Sequence, residues 1–144
     1  MSLRSKLKHL YKMSGKDRLL LVEAAFFLGV ARLLILLVPF RLIAPWLARS
    51  PRNLTERSDP LLKLHIRRAV VTAARNVPWN AVCLPQAIAA KFMLGRRGFP
   101  STLHLGVRRK EEGSLTAHAW LEAGSMIVVG GEGKDAVTPI AHFG

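Results

Sequence analysis

The chain has 144 residues, the size of one domain that buries about two thirds of its unfolded surface. Half of the residues are hydrophobic, which excludes an intrinsically disordered chain, and the single cysteine excludes an intramolecular disulfide and fits a reducing, cytoplasmic compartment. The formal net charge of +13 predicts attraction to an anionic nucleic acid, membrane surface or peptide. No zinc-finger spacing or RNA-binding aromatic signature occurs in the sequence, so we do not expect a nucleic acid as the partner.

Residues 1–57 are predicted to form an N-terminal helical region. Apolar residues at helical spacing predict a short amphipathic helix at the start of the chain. Ser14, with Asp17 three residues later, resembles a capping box that starts a second helix running from about residue 17 to residue 38. A short third helix is predicted at residues 40–48, where Trp46 is an exposed apolar candidate.

The second helix raises the question of a membrane span because it is unusually apolar. Glu23 and Arg32 interrupt it, and they are too far apart to form a neutralising helical pair. A span needs about 20 mostly apolar residues, and a central arginine costs about 2.5–3.5 kcal/mol on insertion scales. We therefore expect this helix to pack into the protein or a partner, with any membrane contact peripheral. The sequence shows no signal-peptide pattern.

Residues 58–144 are predicted to form a compact α+β core. A helix capped by Ser58 or Asp59 comes first, and a second helix starts at Cys83 and ends before Gly98. Period-two alternation then predicts antiparallel strands at 101–109, around His118 and at 126–129, with an edge strand at 136–143.

Cys83 is the most informative single residue because it opens a helix. Unpaired backbone N–H groups and the helix dipole stabilise a thiolate at such a position. His118 follows on a predicted strand, where it could take the thiol proton. Cysteine followed by histidine is the papain-like order of nucleophile and base. The alternative is that Cys83 is simply a small buried hydrophobe.

Several short stretches carry a family resemblance. Residues 78–87 read PWNAVCLPQA and residues 117–120 read AHAW, with ML at 93–94, RRG at 96–98 and LGV at 105–107 between them. Over about residues 58–144 the chain resembles the lasso peptide B proteins, which are transglutaminase-like leader peptidases. The resemblance implies N-terminal helices followed by a papain/transglutaminase-like core, in which the nucleophile helix packs on a small antiparallel sheet.

The resemblance implies that Cys83 is the nucleophile and that His118 is the general base and later the acid. The aspartate that commonly follows the histidine by about twelve residues falls on Gly130, whose missing side chain can orient nothing. Glu132 is the nearest acid and is our candidate for orienting the histidine. Asp135 and a backbone carbonyl are the alternatives.

Other residues are candidates for the oxyanion hole or for substrate contact. The Cys83 backbone N–H would supply one oxyanion donor, and the second would come from a residue just upstream. The candidates are Asn80, Trp79, Gln86 and Trp120. The remaining histidines show no metal-binding spacing, so we expect neither a metal nor a cofactor.

The resemblance also implies the substrate and the partners. It implies removal of the leader from a lasso precursor peptide through a cysteine thioester, with a lasso cyclase acting downstream. Because the N-terminal residues predict helices rather than a strand-rich winged helix, we expect a separate leader-binding protein. The first alternative is a non-catalytic transglutaminase-like module that docks a partner or a membrane surface. The second is transfer of the acyl group to an amine, which shares the thioester step.

Overall fold

The computed structural model describes residues 2–48, 59–79, 81–109, 111–131 and 137–143. Within these ranges, five helices precede a four-stranded antiparallel sheet, which confirms the predicted α+β class. The helices are α1 (Leu3–Lys12), α2 (Gly15–Leu37), α3 (Phe40–Leu47), α4 (Pro60–Asn76) and α5 (Cys83–Arg96). The strands are β1 (Thr102–Arg109), β2 (Leu115–Ala123), β3 (Met126–Val129) and β4 (Thr138–Phe143).

The predicted capping residues stabilise the N-termini of two helices. The Ser14 hydroxyl accepts the Asp17 backbone N–H at 3.2 Å and donates to the Asp17 carboxylate at 2.9 Å. The Asp59 carboxylate accepts the Leu62 backbone N–H at 3.0 Å, so Asp59 caps α4. These contacts satisfy donors that a helix start leaves unpaired. The α2 helix starts two residues earlier than the apolar pattern predicted.

The α2 helix carries apolar stripes on two opposite sides. One stripe is buried and packs with α4 and α5: Leu20, Ala24, Leu28 and Ala31. The other faces outward: Leu19, Val22, Phe26, Leu33, Leu36 and Leu37. By length and composition α2 is the one helix of the described residues that is apolar enough to cross a membrane, with a mean hydropathy of 2.3 over 18 residues, of which 22% are buried.

Glu23 ties α2 to the end of α5. Its carboxylate accepts hydrogen bonds from Arg97 at 2.8 and 2.7 Å, and Arg96 lies 2.9 Å away. The hydrogen bond from Arg97 is the main cause that holds the pKa of Glu23 below its ordinary value, against the opposing effect of burial. A charge that interrupts the apolar sequence is therefore a structural ion pair between two helices.

The sheet has the strand order β3-β2-β1-β4, so β4 is the predicted edge strand. Leu103 pairs with Leu121, and both pack into the hydrophobic core beside the helices. His104 pairs with Trp120, which places both on the opposite face of the sheet. The predicted alternation of β2 is therefore confirmed.

The central helix of the core is α5, whose buried side chains point to several neighbouring elements. Its buried residues include Ala87, Ile88, Ala89, Ala90, Met93 and Leu94. It packs on α2, α4 and the sheet, and Gly98 ends it with a φ of +79°. The predicted boundary between residues 57 and 58 lies outside the described residues. Residues from both sides of it share one hydrophobic cluster.

Candidate functional site

Cys83 is the first residue of α5, as the sequence predicts. Val82 before it is extended and caps the helix with no side-chain hydrogen bond. The thiol is free and half-buried, and it packs at the edge of the hydrophobic core. An uncapped helix start leaves backbone N–H groups directed toward this position, which favours a thiolate and an oxyanion there.

Gln86 stabilises the chain that leads into α5. Its side-chain amide donates to the Ala81 carbonyl at 2.9 Å, and Ala81 itself is buried. This hydrogen bond fixes the turn immediately before the thiol. The side chain thus has a positioning contact in the structure, and substrate binding by Gln86 remains a prediction.

His118 lies in the middle of β2, opposite Gly106 on β1. Its Nε2 is 2.7 Å from the carbonyl oxygen of Gly130. Since a carbonyl only accepts hydrogen bonds, Nε2 carries the proton and donates it. In the neutral ring, Nδ1 is then the nitrogen with a free lone pair, and it is the one that can take a proton.

Gly130 contributes its backbone rather than a side chain. Its φ is +77°, and a Cβ added there would lie 2.3 Å from the Ala119 carbonyl oxygen and 2.9 Å from the Trp120 Cα. An aspartate therefore does not fit at this position. Although Gly130 has no side chain that could orient His118, its backbone carbonyl is the hydrogen-bond partner of His118, and a backbone carbonyl was one of the predicted alternatives.

Three candidates from the sequence lie outside the described residues. They are Asn80, Glu132 and Asp135. Their proposed roles as oxyanion donor and as histidine orienter stay predictions.

Trp120 is enclosed by histidine rings on the same face of the sheet. Only 4% of its surface is exposed, its ring stacks on His104 at a centroid distance of 5.1 Å, and His118 is 6.1 Å away. His142 continues the row at 6.3 Å from His104. Within the described residues, the Trp120 indole N–H has no hydrogen-bond partner. His104 and His142 were not among the predicted site residues, although the period-two alternation of the strands places His104 on the same face as Trp120.

Trp79 lies against α2. A Cβ added at Gly29 would be 3.4 Å from the indole ring, and 37% of the Trp79 surface is exposed. This position suits an aromatic at the rim of the core. An oxyanion role for its indole N–H remains a prediction.

The thiol and the imidazole belong to neighbouring elements, α5 and β2. No hydrogen bond joins Cys83 and His118 in the part of the chain that is described. Ala119 and Leu121 pack into the core with α5, whereas His118 projects from the other face of β2 with Trp120. The predicted pair is therefore open here. Catalytic hydrogen bonds are often long or misaligned without substrate, and the two catalytic roles stay predictions.

The described residues contain no cluster of three or more histidine, cysteine or acidic side chains arranged to hold a metal ion. The expectation that the protein uses no metal remains a prediction.

Comparison with known families gives one match. The family model described as the transglutaminase-like superfamily matches residues 24–142, which extend from α2 to β4 and include both Cys83 and His118. No curated protein and no solved structure matches the chain.

Proposed function

We propose that this chain, which belongs to the transglutaminase-like superfamily, is a cysteine peptidase that removes the leader from a lasso precursor peptide. The superfamily includes cysteine peptidases. The observation that carries the proposal is Cys83 at the uncapped first position of α5, inside the family match. The lasso substrate rests on the resemblance of residues 78–87 and 117–120 to the lasso peptide B proteins.

The proposed reaction proceeds through a thioester. His118 Nδ1 takes the Cys83 thiol proton, and the thiolate attacks the carbonyl carbon at the end of the leader. The backbone N–H groups at the start of α5 stabilise the oxyanion. His118 returns the proton to the departing amine of the core peptide. Water, deprotonated by the same imidazole, then cleaves the thioester to release the leader acid and restore the thiol.

This mechanism requires the thiol and the imidazole to approach each other when substrate binds. Nε2 of His118 is already engaged by Gly130, so ring rotation is restrained and Nδ1 is left for the thiol. A separate leader-binding protein would deliver the precursor, and a lasso cyclase would receive the core peptide.

The test is cleavage of a precursor peptide, followed by mass spectrometry, with the separate leader-binding protein present. Cys83→Ala and His118→Ala should each lower the rate by about a thousandfold, since proton transfer alone contributes about 10²–10⁴. Val82→Ala, an exposed neighbour, is the matched control and should cleave normally. Cleavage by Cys83→Ala at a tenth of the parent rate would refute covalent catalysis.

Thiol alkylation tests the pairing independently of the substrate. If His118 activates Cys83, iodoacetamide should label the parent faster than His118→Ala at neutral pH. Equal rates would argue against the pair. Because the chain has one cysteine, every label reports on this thiol.

A non-catalytic module is the second candidate, and the open arrangement of Cys83 and His118 favours it. In that case the core would bind the leader or a partner without cleaving it. A parent protein that binds precursor peptide but releases no core peptide, with or without the leader-binding protein, would support this function instead.

A further inference from the structure

We propose that the N-terminal helices α1–α3 bind an anionic membrane surface and lie along it without crossing it. This inference goes beyond the proposed peptidase activity and does not depend on it. It rests on the exposed apolar side chains of these helices and on the basic residues concentrated in α1 and at the start of α2.

The α1 helix has no buried residue, although it is strongly amphipathic. Leu3, Leu7 and Tyr11 lie on one side of the helix. Their exposed fractions are 75%, 55% and 86%, respectively. The same helix carries Arg4, Lys6, Lys8 and Lys12. An amphipathic helix that buries none of its residues among the described part of the chain has the character of a helix lying in a membrane interface.

The α2 and α3 helices extend the apolar surface. The outward stripe of α2 includes Phe26, Leu33 and Leu37, with 64%, 58% and 76% of their surface exposed. On α3, Leu42 and Trp46 are also exposed, at 57% and 66%. Among the described residues, most of the exposed large apolar side chains belong to these three helices. Soluble monomers seldom leave so much apolar surface uncovered.

The contacts of α2 argue for a surface position and against a span. Ala24 and Leu28 are fully buried in the core, and Glu23 is held by Arg97 on α5. Moving α2 into a bilayer would expose the core and break this ion pair. The helix can instead offer its outward stripe to lipid while its inner stripe keeps the core intact.

The positive charge of these helices favours an anionic lipid surface as the binding partner. Residues 4–18 contain six basic residues: Arg4, Lys6, Lys8, Lys12, Lys16 and Arg18. The one acidic residue in this stretch is Asp17. Basic residues beside an inserted apolar stripe bind anionic head groups, and a tryptophan such as Trp46 is typical of the interface. A nucleic acid would use the charge but not the apolar stripe.

Vesicle sedimentation with the full chain tests the proposal. The protein should bind vesicles of phosphatidylglycerol and phosphatidylcholine in equal parts, and bind vesicles of phosphatidylcholine alone more weakly by about a thousandfold or more. Replacing Lys6, Lys8 and Lys12 together by glutamine should weaken binding to the anionic vesicles by about a hundredfold. In the matched control, glutamine replaces Arg75 on α4 and Arg108 and Arg109 on β1, which are also exposed. This variant should bind the anionic vesicles within about threefold of the parent.

A second pair of variants tests the apolar contribution. Leu33→Gln with Leu37→Gln should abolish most binding, whereas Leu115→Gln with Ile140→Gln should not. The control residues are similarly exposed, at 64% and 65%, but lie on β2 and β4. Equal thermal stability of the two double variants would show that loss of binding is not loss of folding.

Three results would overturn the proposal. Equal binding to neutral and anionic vesicles would show that the basic residues do not select anionic lipid. Binding to no vesicle would assign the surface to a protein partner. Retention in the bilayer through carbonate washing, with a fragment protected from protease, would show that α2 spans the membrane.

Discussion

Gly130→Ala tests the backbone geometry on which the orientation of His118 depends. Alanine at a φ of +77° costs about 1–2 kcal/mol, because an L-residue crowds its own carbonyl there. The new Cβ would also lie 2.3 Å from the Ala119 carbonyl oxygen and 2.9 Å from the Trp120 Cα. These are main-chain atoms that cannot rotate away, so the end of β3 must shift, at a further cost of about 1–3 kcal/mol.

We therefore expect Gly130→Ala to lower the free energy of unfolding by about 2–5 kcal/mol, a large share of the 5–15 kcal/mol typical of a domain. For a chain of this size, the melting temperature should fall by about 8–20 °C. The shift should also break the hydrogen bond from His118 Nε2, which NMR of the imidazole nitrogens would detect. Urea unfolding and differential scanning calorimetry measure the stability change.

Gly113→Ala is the matched control. Gly113 also has a positive φ, of +91°, but an added Cβ there would meet no atom within 4 Å. Its substitution should cost about 1–2 kcal/mol, the conformational part alone. If both variants lose the same stability, close packing of Gly130 against β2 does not constrain this site, and the reasoning is refuted.

Two further substitutions test the ion pair and the third catalytic residue. Glu23→Gln should lower the free energy of unfolding by about 1–3 kcal/mol at neutral pH, since it leaves two arginines without their carboxylate. The pKa of Glu23 is lower in the folded state than in the unfolded state. The stability that the ionised carboxylate adds is therefore fully present above the unfolded pKa of about 4.3, and it is lost as the pH falls through the folded pKa. The difference in the free energy of unfolding between parent and Glu23→Gln, measured by urea unfolding, should therefore disappear in acid. A difference that persists in acid would contradict the ion-pair account. So would an equal loss of stability in the exposed control Glu112→Gln. Glu132→Gln should leave leader cleavage within about twofold of the parent, and a loss of tenfold or more without unfolding would make Glu132 the orienter.

The sequence predicted the helices and strands well because their signals are local. Ser14 and Asp59 cap the helices they were expected to cap, and alternation in β2 placed His118 and Trp120 on one face. Gly98 ends α5, as its conformational freedom suggests. Each of these features depends on residues within a few positions, so a single sequence contains the information.

Long-range contacts could not be read in the same way. Glu23 meets Arg97 across 74 positions, and nothing near Glu23 in the sequence indicates this partner. The carbonyl of Gly130 reaches His118 because β3 ends in a left-handed turn against β2. The sequence allowed a backbone carbonyl as the partner of His118 but did not indicate which residue supplies it.

A backbone carbonyl in place of the family aspartate changes what the histidine gains from its partner. The Gly130 carbonyl fixes the tautomer and the ring position of His118, as a carboxylate would. It carries no full charge, however, and charge-assisted hydrogen bonds are about twice as strong as neutral ones. The carbonyl therefore stabilises an imidazolium less than an aspartate would. If the chain cleaves leaders, we therefore expect activity to depend more on the Gly130 geometry than on the Glu132 charge.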